Sequence, residues 1–452
     1  MNTPSDAATD VSRREFLRGS AALLSLLGAV ELKAAEAPTG ADGKPINVPK
    51  VKLGIIGLGP HGRDIISTLQ LLPSADIAAL CDTYPAMVRR SANNVPGAKT
   101  TDDYRTLLED KSIPAVLIAT PTHQHKDIAI AALQAGKHVY CEAPLAHTIE
   151  DAKAIARAAR DAGSQIFQAG LSLRADPHRH WLLQFIRSGA MGKPLVARAQ
   201  WHKKQQWRFA SPNPDREKEI NWRLDKSIST GLAGELGIHQ LDLLSWYLKD
   251  RPTAVTGFGG VLQWNDGRTV PDTAQAVLEY PGGTQAMWDA TLGNSFDGEY
   301  EMFYGSDAAV MLRANKAWMF KEVDSPLLGW EVYARKDVFY KETGIALVAN
   351  ATKLVAQGEN PVEDAPFANT PLYFALENFL TNVAEVVSET ADFKETFGDD
   401  RAALAQHVKS LKLQNAAGWQ EGLEAAVVAI KTNEAVTQAK RITFQKEWFD
   451  LA

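Results

Sequence analysis

Three glycines near the start of the chain have the spacing of a phosphate-binding turn. They lie in the run GLGPHG at 57–62. Gly57 would permit a tight turn, Gly59 would let the backbone approach a diphosphate, and Gly62 would let a helix pack near the preceding strand. A helix that starts here also offers free N–H groups to phosphates. The alternative is a strand-to-helix turn that binds no ligand.

The turn needs a strand before it, and a helix and a second strand after it. Apolar runs at 51–56 and 75–81 supply the strands, with an amphipathic segment between them, and Asp82 follows the second run, twenty residues after Gly62. A carboxylate in that position accepts hydrogen bonds from an adenosine ribose. We therefore predict a dinucleotide site, with NAD favoured over NADP as the cofactor.

Further strands and helices alternate up to residue 170. The predicted strands are at 115–119, 138–141 and 165–170, and the predicted helices are at 84–94, 102–108, 128–136 and 148–162. Such alternation is typical of a parallel sheet with helices on both faces. The prediction for 51–170 is an α/β Rossmann domain.

The character of the sequence changes after residue 170. All eleven tryptophans lie in this second part, which contains long stretches of period-two alternation. The predicted strands are at 194–202, 253–264, 274–280, 284–292, 300–304, 309–312, 317–321 and 441–444, and the predicted helices are at 177–188, 231–248, 345–357, 371–387 and 422–439. The pattern predicts, for 171–452, an α+β domain with a large, mainly antiparallel open sheet. An open sheet face suits contact between subunits, so we expect a homo-oligomer.

The amino-acid composition limits the kinds of molecule that the protein is expected to bind. The 452 residues are 45% hydrophobic and 23% charged, with a formal net charge of -6. This balance gives no support to a nucleic-acid or anionic-membrane partner, so we expect a small-molecule substrate. Two cysteines, Cys81 and Cys141, are too few for a disulfide framework in a chain of this length, and both are predicted to be buried.

The N-terminus resembles a twin-arginine export signal. The run SRREFLR at 12–18 precedes a weakly apolar stretch at 21–30 and several alanines at 34–37, with Arg18 where lysine is usual. The apolar stretch is too short to span a bilayer. The resemblance implies that 1–37 is a signal peptide read by the twin-arginine export machinery, that 38–50 is a linker, and that the mature protein is periplasmic without a membrane anchor.

Four motifs, in this order, resemble the glucose-fructose oxidoreductase, inositol dehydrogenase and MocA family (Gfo/Idh/MocA). They are the glycine run, ATPTHQH at 119–125, GKHVYCEAP at 136–144 and ELGIHQLD at 235–242. The resemblance covers nearly the whole mature chain. It implies a Rossmann domain followed by an open-sheet domain, a nicotinamide cofactor at the seam between them, and redox chemistry at one carbon of a sugar or cyclitol.

The chain departs from the family at one chemically important position. The family segment is Glu-Lys-Pro, in which the lysine approaches the substrate, whereas this chain has Glu142-Ala143-Pro144. A methyl group cannot hold a charge or transfer a proton, so the acid–base chemistry must come from elsewhere. We predict His239 as the general base, because an ordinary histidine pKa of about 6.5 lies near working pH. Lys203 is the candidate replacement for the missing lysine.

Two carboxylates accompany His239 in the fourth motif and are predicted to be catalytic with it. Glu235 stands where the family usually has aspartate, and its spacing from His239 predicts that both lie on one face of a helix. Glu235 would then orient the imidazole or share its proton, and Asp242, one turn beyond, would do the same from the other side. The alternatives are a hydrogen-bonded core histidine and carboxylates that cap or pair.

The remaining predicted contacts follow from the resemblance and from positions after strands. The predicted cofactor-binding residues are Gly57, Gly59, Pro60, His61, Gly62, Asp82, Thr120, Pro121, His125, Glu142 and Pro144. The predicted substrate contacts are Arg174, Trp201 and Lys203; the last two belong to an aromatic and basic cluster that also holds His202, Trp207 and Arg208. The alternatives are packing at a helix start for His125, a surface pair with Asp176 for Arg174, and ordinary sheet packing for the cluster. No set of three or four ligands suits zinc, so we predict no metal site.

Three functions are compatible with these residues. The favoured one is an NAD(P)-dependent oxidoreductase that acts by hydride transfer on a CH–OH or carbonyl group of a sugar, cyclitol or glycoside. The first alternative is a glycoside hydrolase or lyase that uses NAD for a transient oxidation. The second, motivated by Ala143, is a non-catalytic sugar or nucleotide binder.

Overall fold

The computed structural model describes residues 49–211, 213–313, 316–329, 331, 334, 336–339, 342–346 and 369–451. The predicted export signal at 1–37, nearly all of the predicted linker at 38–50 and most of the predicted helix at 345–357 lie outside the described residues. Within those ranges, no helix is both long enough and apolar enough to cross a bilayer.

The first part of the chain forms a parallel sheet, as predicted. Within the described residues it has six strands in the order β3-β2-β1-β4-β5-β6, and every pairing is parallel. The strands are β1 (Val51–Ile56), β2 (Ala75–Cys81), β3 (Lys99–Thr101), β4 (Ala115–Ile118), β5 (His138–Cys141) and β6 (Phe167–Ala169). This is the strand order of a dinucleotide-binding Rossmann domain, whose ligands lie at the carboxyl ends of the strands where the order reverses between β1 and β4.

Five helices connect these strands. They are α1 (Pro60–Leu69), α2 (Pro85–Asn94), α3 (Tyr104–Glu109), α4 (His125–Gln134) and α5 (Ile149–Ala162). Helix α1 starts directly at the glycine turn, with Pro60 in the first position, where a missing N–H breaks no helical bond. Helix α4 starts at His125 rather than at the predicted residue 128, because a 3-10 turn at Thr122–Gln124 continues into it. Cys81 and Cys141 are buried and free, as predicted.

The second part of the chain contains the predicted large, mainly antiparallel sheet. Ten strands of the described residues form it, in the order β14-β15-β13-β12-β11-β7-β10-β9-β8-β16, and only β7 and β10 pair in parallel. The strands are β7 (Pro194–His202), β8 (Ala254–Gly260), β9 (Thr273–Glu279), β10 (Gln285–Thr291), β11 (Glu299–Gly305), β12 (Ala308–Arg313), β13 (Lys316–Lys321), β14 (Lys336–Phe339), β15 (Glu342–Ala346) and β16 (Arg441–Thr443). The start of the predicted helix at 345–357 is wrong, because β15 pairs with β13 and β14 there.

Seven helices of the described residues accompany this sheet. They are α6 (Pro177–Arg187), α7 (Pro214–Ile220), α8 (Gly231–Glu235), α9 (Ile238–Leu248), α10 (Pro371–Phe397), α11 (Arg401–Ser410) and α12 (Trp419–Gln438). The predicted single helix at 231–248 is wrong, because the helix is interrupted at Leu236 and Gly237, between α8 and α9. The Trp288 ring packs directly against Gly237. A Cβ on Gly237 would lie 2.4 Å from the Cζ2 atom of Trp288, so only glycine fits here.

Two C-terminal helices join the parts of the molecule. Helix α10 returns to the first sheet, where Leu376 and Phe379 pack in one core with Leu53 of β1 and Ile65 of α1. Helix α12 contacts α5 on one side and both α9 and β8 on the other. The division of the chain into two domains at residue 170 stays a prediction. The packing shows that residues of α10 complete the hydrophobic core of the first sheet.

The packing of α10 can be tested with two phenylalanines of that helix. Phe379 is fully buried and its ring lies 5.8 Å from the ring of Tyr140 on β5, whereas Phe397 is 69% exposed. Phe379→Ala should lower the free energy of unfolding by about 3–5 kcal/mol, since it leaves a cavity in the core. Phe397→Ala should change it by less than about 0.5 kcal/mol. Urea unfolding measures both values, and equal losses would contradict the assigned packing.

Candidate active site

The glycine turn has the geometry that its sequence predicts. Gly57 has a φ of 97°, and a Cβ there would lie 2.6 Å from the backbone of Ala119. A Cβ on Gly62 would lie 2.1 Å from the carbonyl oxygen of Gly57. A Cβ on Gly59 would meet no atom within 4 Å, so the turn is open at Gly59, next to the start of α1. Free N–H groups at an open helix start suit a diphosphate.

Asp82 holds the glycine turn from the end of β2. Its Oδ2 accepts a hydrogen bond from the Leu58 N–H at 2.8 Å, and its Oδ1 accepts one from the Tyr84 N–H at 2.8 Å. A carboxylate has about four acceptor positions, so two remain for the hydroxyls of a ribose. The turn and Asp82 therefore fit an NAD cofactor, although contact of Asp82 with a ribose stays a prediction.

The turn after β4 is fixed from behind by His125. This side chain is 1% exposed, and its Nδ1 and Nε2 lie 2.9 Å from the carbonyl oxygens of Pro144 and Thr120. Burial lowers the pKa of His125. The ring ties the turn at Thr120 and Pro121 to the segment after β5, so the predicted direct contact of His125 with the cofactor is wrong. His125 instead packs in the interior at the start of α4, which was the alternative interpretation.

Glu142 is a buried carboxylate directly after β5. It is 8% exposed, and its Oε1 lies 2.9 Å from Nε2 of His61 on the first turn of α1. A Cβ on Gly170 would lie 2.4 Å from its Oε2, so the carboxylate fills the space that this glycine leaves. Burial acts to raise the pKa of Glu142, but the neighbouring His61 and His239 more than offset it and the pKa is lowered. Glu142 is therefore an anion between two histidines.

His239 lies in the first turn of α9. Its Nδ1 is enclosed, and among the described residues it has no hydrogen-bond partner. Burial lowers its pKa, while Glu142 and Asp242 act in the opposite direction. The imidazole is therefore neutral near neutral pH and has two carboxylates close enough to stabilise its protonated form.

Glu235 does not orient His239, contrary to the prediction. Its Oε1 accepts hydrogen bonds from the N–H and the Oγ1 of Thr230, at 3.2 and 2.7 Å, and its Oε2 lies 3.6 Å from Nε of Arg223. It also accepts a hydrogen bond from Oγ1 of Thr122, which follows β4. The prediction assumed that Glu235 and His239 lie on one face of a single helix, but Glu235 ends α8 and His239 belongs to α9. Glu235 instead links α8 to the Rossmann domain.

Asp242 forms a buried ion pair with Arg174. The Nε and Nη2 atoms of Arg174 donate to its two carboxylate oxygens at 2.9 and 2.8 Å, and the guanidinium lies 5.0 Å from the centre of the Trp246 ring. Burial alone would lower the pKa of Arg174, but Asp242 more than offsets it and the pKa is raised. Burial also raises the pKa of Asp242, although Arg174 acts against this rise. The alternative of a surface pair between Arg174 and Asp176 is wrong, since Asp176 caps α6. Contact of Arg174 with substrate stays a prediction.

A buried polar network behind His239 was not predicted from the sequence. Gln240 of α9 donates through Nε2 to the Gln200 carbonyl of β7 at 2.8 Å and to Oε1 of Glu301 on β11 at 3.2 Å. Trp288 of β10 donates through Nε1 to Oε1 of Gln240 at 3.2 Å, and Arg179 of α6 donates to Glu301 at 3.2 Å. The sequence signal was a glutamine within a mainly apolar helix. The network fixes α9, and with it His239, against the sheet.

The aromatic and basic cluster divides between core and surface. Trp201 is half-buried and packs against the main core, and Trp207 is buried in it. His202 pairs with Asp289, while Lys203 is exposed at the end of β7. Lys203 acts electrostatically on Glu299, and the cations that act most strongly on Glu142 are histidines. The replacement of the family lysine by Lys203 and the substrate contacts of Trp201 and Lys203 stay predictions.

A Rossmann-type parallel sheet with its glycine turn, followed by a larger and mainly antiparallel sheet, defines a dinucleotide-binding protein. A family model described as oxidoreductase family, NAD-binding Rossmann fold, matches residues 51–170, and a model of the GFO/IDH/MocA C-terminal domain matches 181–310. Together these matches cover more than half of the 452 residues. The chain belongs to the Gfo/Idh/MocA family, and its cofactor is NAD.

Curated relatives are similar over part of their length. The levoglucosan dehydrogenase of Pseudarthrobacter phenanthrenivorans is 28% identical over 255 residues, which is 51% of this chain and 63% of that protein. The inositol 2-dehydrogenase of Paracoccus denitrificans is 32% identical over 203 residues, which is 44% of this chain and 55% of that protein. The chain thus spans less than two thirds of the length of these relatives.

Solved structures share the fold. An oxidoreductase domain protein from Kribbella flavida superposes with a TM-score of 0.67 at 22% identity, over 88% of this chain and 100% of that one. A levoglucosan dehydrogenase in complex with NADH and levoglucosan gives 0.65 at 19% identity, over 87% of this chain and 99% of that one. At these sequence identities, the two comparisons show a shared fold and nothing more. Among the residues described here, no group of three or more metal-ligating side chains is placed to hold a metal ion.

The ion pair between Arg174 and Asp242 can be tested through stability. Arg174→Met should lower the free energy of unfolding by about 3–5 kcal/mol, because it leaves Asp242, 4% exposed, as an uncompensated buried charge. The matched control is Arg187→Met, which removes an exposed hydrogen bond to the Trp246 carbonyl and should cost no more than about 1.5 kcal/mol. Adding Asp242→Asn to the first variant should recover most of its loss. Denaturant unfolding gives all three values, and similar losses for the two arginines would refute the assignment.

Proposed function

We propose that the protein is an NAD-dependent oxidoreductase that acts on a CH–OH group of a cyclic sugar or cyclitol. The observation that carries the proposal is His239, an enclosed neutral imidazole that the anion Glu142 links electrostatically to the first turn of the dinucleotide-binding helix. Relatives over part of the chain are named levoglucosan dehydrogenase and inositol 2-dehydrogenase, which supports a cyclic polyol as the substrate class.

The nucleotide is held by the Rossmann domain in this proposal. The first-turn N–H groups of α1 and the open side of Gly59 bind the diphosphate, and the free acceptor positions of Asp82 bind a ribose. When bound, the nicotinamide ring supplies the hydride acceptor or donor. Every proton must then be handled by side chains of the chain itself.

His239 handles the proton of the substrate hydroxyl. It accepts that proton at Nε2, since its Nδ1 is closed off from solvent. The imidazolium that forms is stabilised by Glu142 and Asp242, the two carboxylates that already act on its pKa. Gln240, its neighbour on α9, keeps the ring in place through the buried network. Ala143 stands where the family lysine would be, so we assign no proton transfer to that position.

Replacement of His239 tests the assignment. His239→Asn should lower kcat on levoglucosan, myo-inositol or another cyclic polyol by about a hundredfold to ten-thousandfold, because general base catalysis is lost. The affinity for NADH, measured by quenching of protein fluorescence, should stay within about twofold of wild type, and His407→Asn should leave both values unchanged. Because the pKa of His239 is lowered, the wild-type rate should fall only as the pH drops below about 6.5.

Three outcomes would contradict this proposal in different ways. Full activity in His239→Asn would exclude this residue as the base. Release of product from aryl glycosides without net formation of NADH would point to glycoside cleavage through a transient oxidation. Binding of NADH without turnover of any sugar, cyclitol or glycoside would favour the non-catalytic binder.

We also propose that the protein is exported in folded form to the periplasm. The proposal is supported by the run SRREFLR at 12–18 and the short apolar stretch that follows it. Exchange of both Arg13 and Arg14 for lysine should abolish export of the tagged full-length chain, because the receptor reads the arginine pair. The control is Arg18→Lys, which moves the sequence towards the usual pattern and should leave export intact. Cell fractionation provides the measurement, and equal export of all forms would refute the proposal.

A further inference from the structure

His61 combines an exposed position with a buried partner. It is the second residue of α1, directly after Pro60, and its side chain is 46% exposed. Its Nε2 lies 2.9 Å from Oε1 of Glu142, whose side chain is only 11% exposed. The imidazole therefore stands between an interior anion and the open side of the turn at Gly59, where the family places a diphosphate.

The charges around this pair determine its proton content. Glu142, Asp64 and Arg223 act on His61, of which Glu142 has the largest effect, and the pKa of His61 is raised above its ordinary value. His239 and His125 also interact electrostatically with Glu142, and the buried hydroxyl of Tyr140 interacts with the same carboxylate. Glu142 therefore interacts with three histidines, of which His61 has a side chain that is 46% exposed and lies at the open start of α1.

We propose that His61 couples binding of the dinucleotide to the uptake of one proton. A neutral imidazole has one N–H donor, which can serve either Glu142 or an added anion, whereas the protonated ring donates from Nε2 and Nδ1 together. The protonated ring carries a charge that attracts both the Glu142 carboxylate, 2.9 Å from Nε2, and a diphosphate, whereas the uncharged ring supplies no such charge to either anion. The inference rests on the proposed NAD-dependent function and names a cofactor-binding role for this side chain.

This role also supplies a positive charge that Ala143 cannot supply. A lysine between Glu142 and Pro144 would add a cation that stays charged up to about pH 10. In this chain the cation beside Glu142 is a histidine from a different element, α1, and its charge depends on pH. Affinity for the cofactor thereby becomes pH-dependent in a way that a lysine would not produce.

The sign of the effect follows from linkage. The diphosphate adds negative charge next to His61, so its pKa must rise further when the dinucleotide binds. Below the pKa of the free protein the ring is already protonated, and binding takes up no proton. Between the pKa of the free protein and that of the complex, binding takes up as much as one proton, and the affinity falls by up to about tenfold for each pH unit of increase.

Calorimetry on nucleotide-stripped full-length protein measures this proton directly. NADH is titrated in Hepes and in Tris, which differ in ionisation enthalpy, between about pH 7 and about pH 9, where NADH itself has no titrating group. NADH is used rather than NADPH because the phosphate group of NADPH titrates near this range. We expect uptake that approaches one proton per NADH, and a Kd that rises with pH.

Three variants separate this role from a structural one. His61→Asn should bind NADH with the same Kd at every pH and with no proton uptake. His61→Lys, which keeps a cation, should bind tightly throughout, also without uptake. His407→Asn should behave like wild type; it is the matched control because His407 is likewise a half-buried histidine paired with a carboxylate, its Nε2 lying 2.8 Å from Glu389. Circular dichroism checks that each variant is folded.

The outcomes are distinct. Wild-type binding of NADH with heats that do not depend on the buffer and a Kd that does not depend on pH overturns the inference, while the proposed function stands. Undiminished proton uptake in His61→Asn overturns it as well. A wild-type protein that binds neither NADH nor NAD refutes the proposed function itself.

Discussion

A carboxylate removed from water has to be matched by positive charge, and Glu142 imposes this constraint on the whole site. It lies after β5, in the space left by Gly170, where solvent has almost no access. His61 of α1 supplies this charge, with its Nε2 2.9 Å from the carboxylate, and His239 of α9 also interacts with Glu142 although its own pKa is lowered by burial. Because charge interactions are strong at low dielectric, the position of each ring and its proton content depend on this one anion.

The two halves of the molecule meet around that anion because several buried contacts hold them in register. Helix α12 packs on α5 and on α9 together, so it joins the parallel sheet's outer layer to the helix that carries His239. The Gln240 network anchors α9 from the other side, and Glu235 bonds across to Thr122 of the Rossmann domain. The placement of one imidazole thus depends on polar groups that each need a partner in the interior.

The sequence predicted those elements whose pattern is local. β1, β2, β5 and β7 have the predicted bounds, because continuous apolar runs and period-two alternation decide them without reference to the rest of the chain. The short, exposed β3 carries no such pattern. The break before α9 could not be predicted either, since it depends on a close approach of Trp288. In the same way the glycine turn followed from spacing, whereas the partners of Glu235 and Arg174 depend on residues far away in the chain.

The return of α10 to the first sheet ties the nucleotide-binding half to the end of the chain. Leu53 and Ile65 are made early on the ribosome, yet Leu376 and Phe379, which cover them, are made some three hundred residues later. Contacts this distant in sequence slow folding, because a large loop must close before they form. A nascent chain that ends after β6 therefore exposes the apolar surface around Leu53 and Ile65 that α10 later covers. Residues 51–170 are a recognisable unit by descent, but as a folding unit they are incomplete until synthesis is nearly finished.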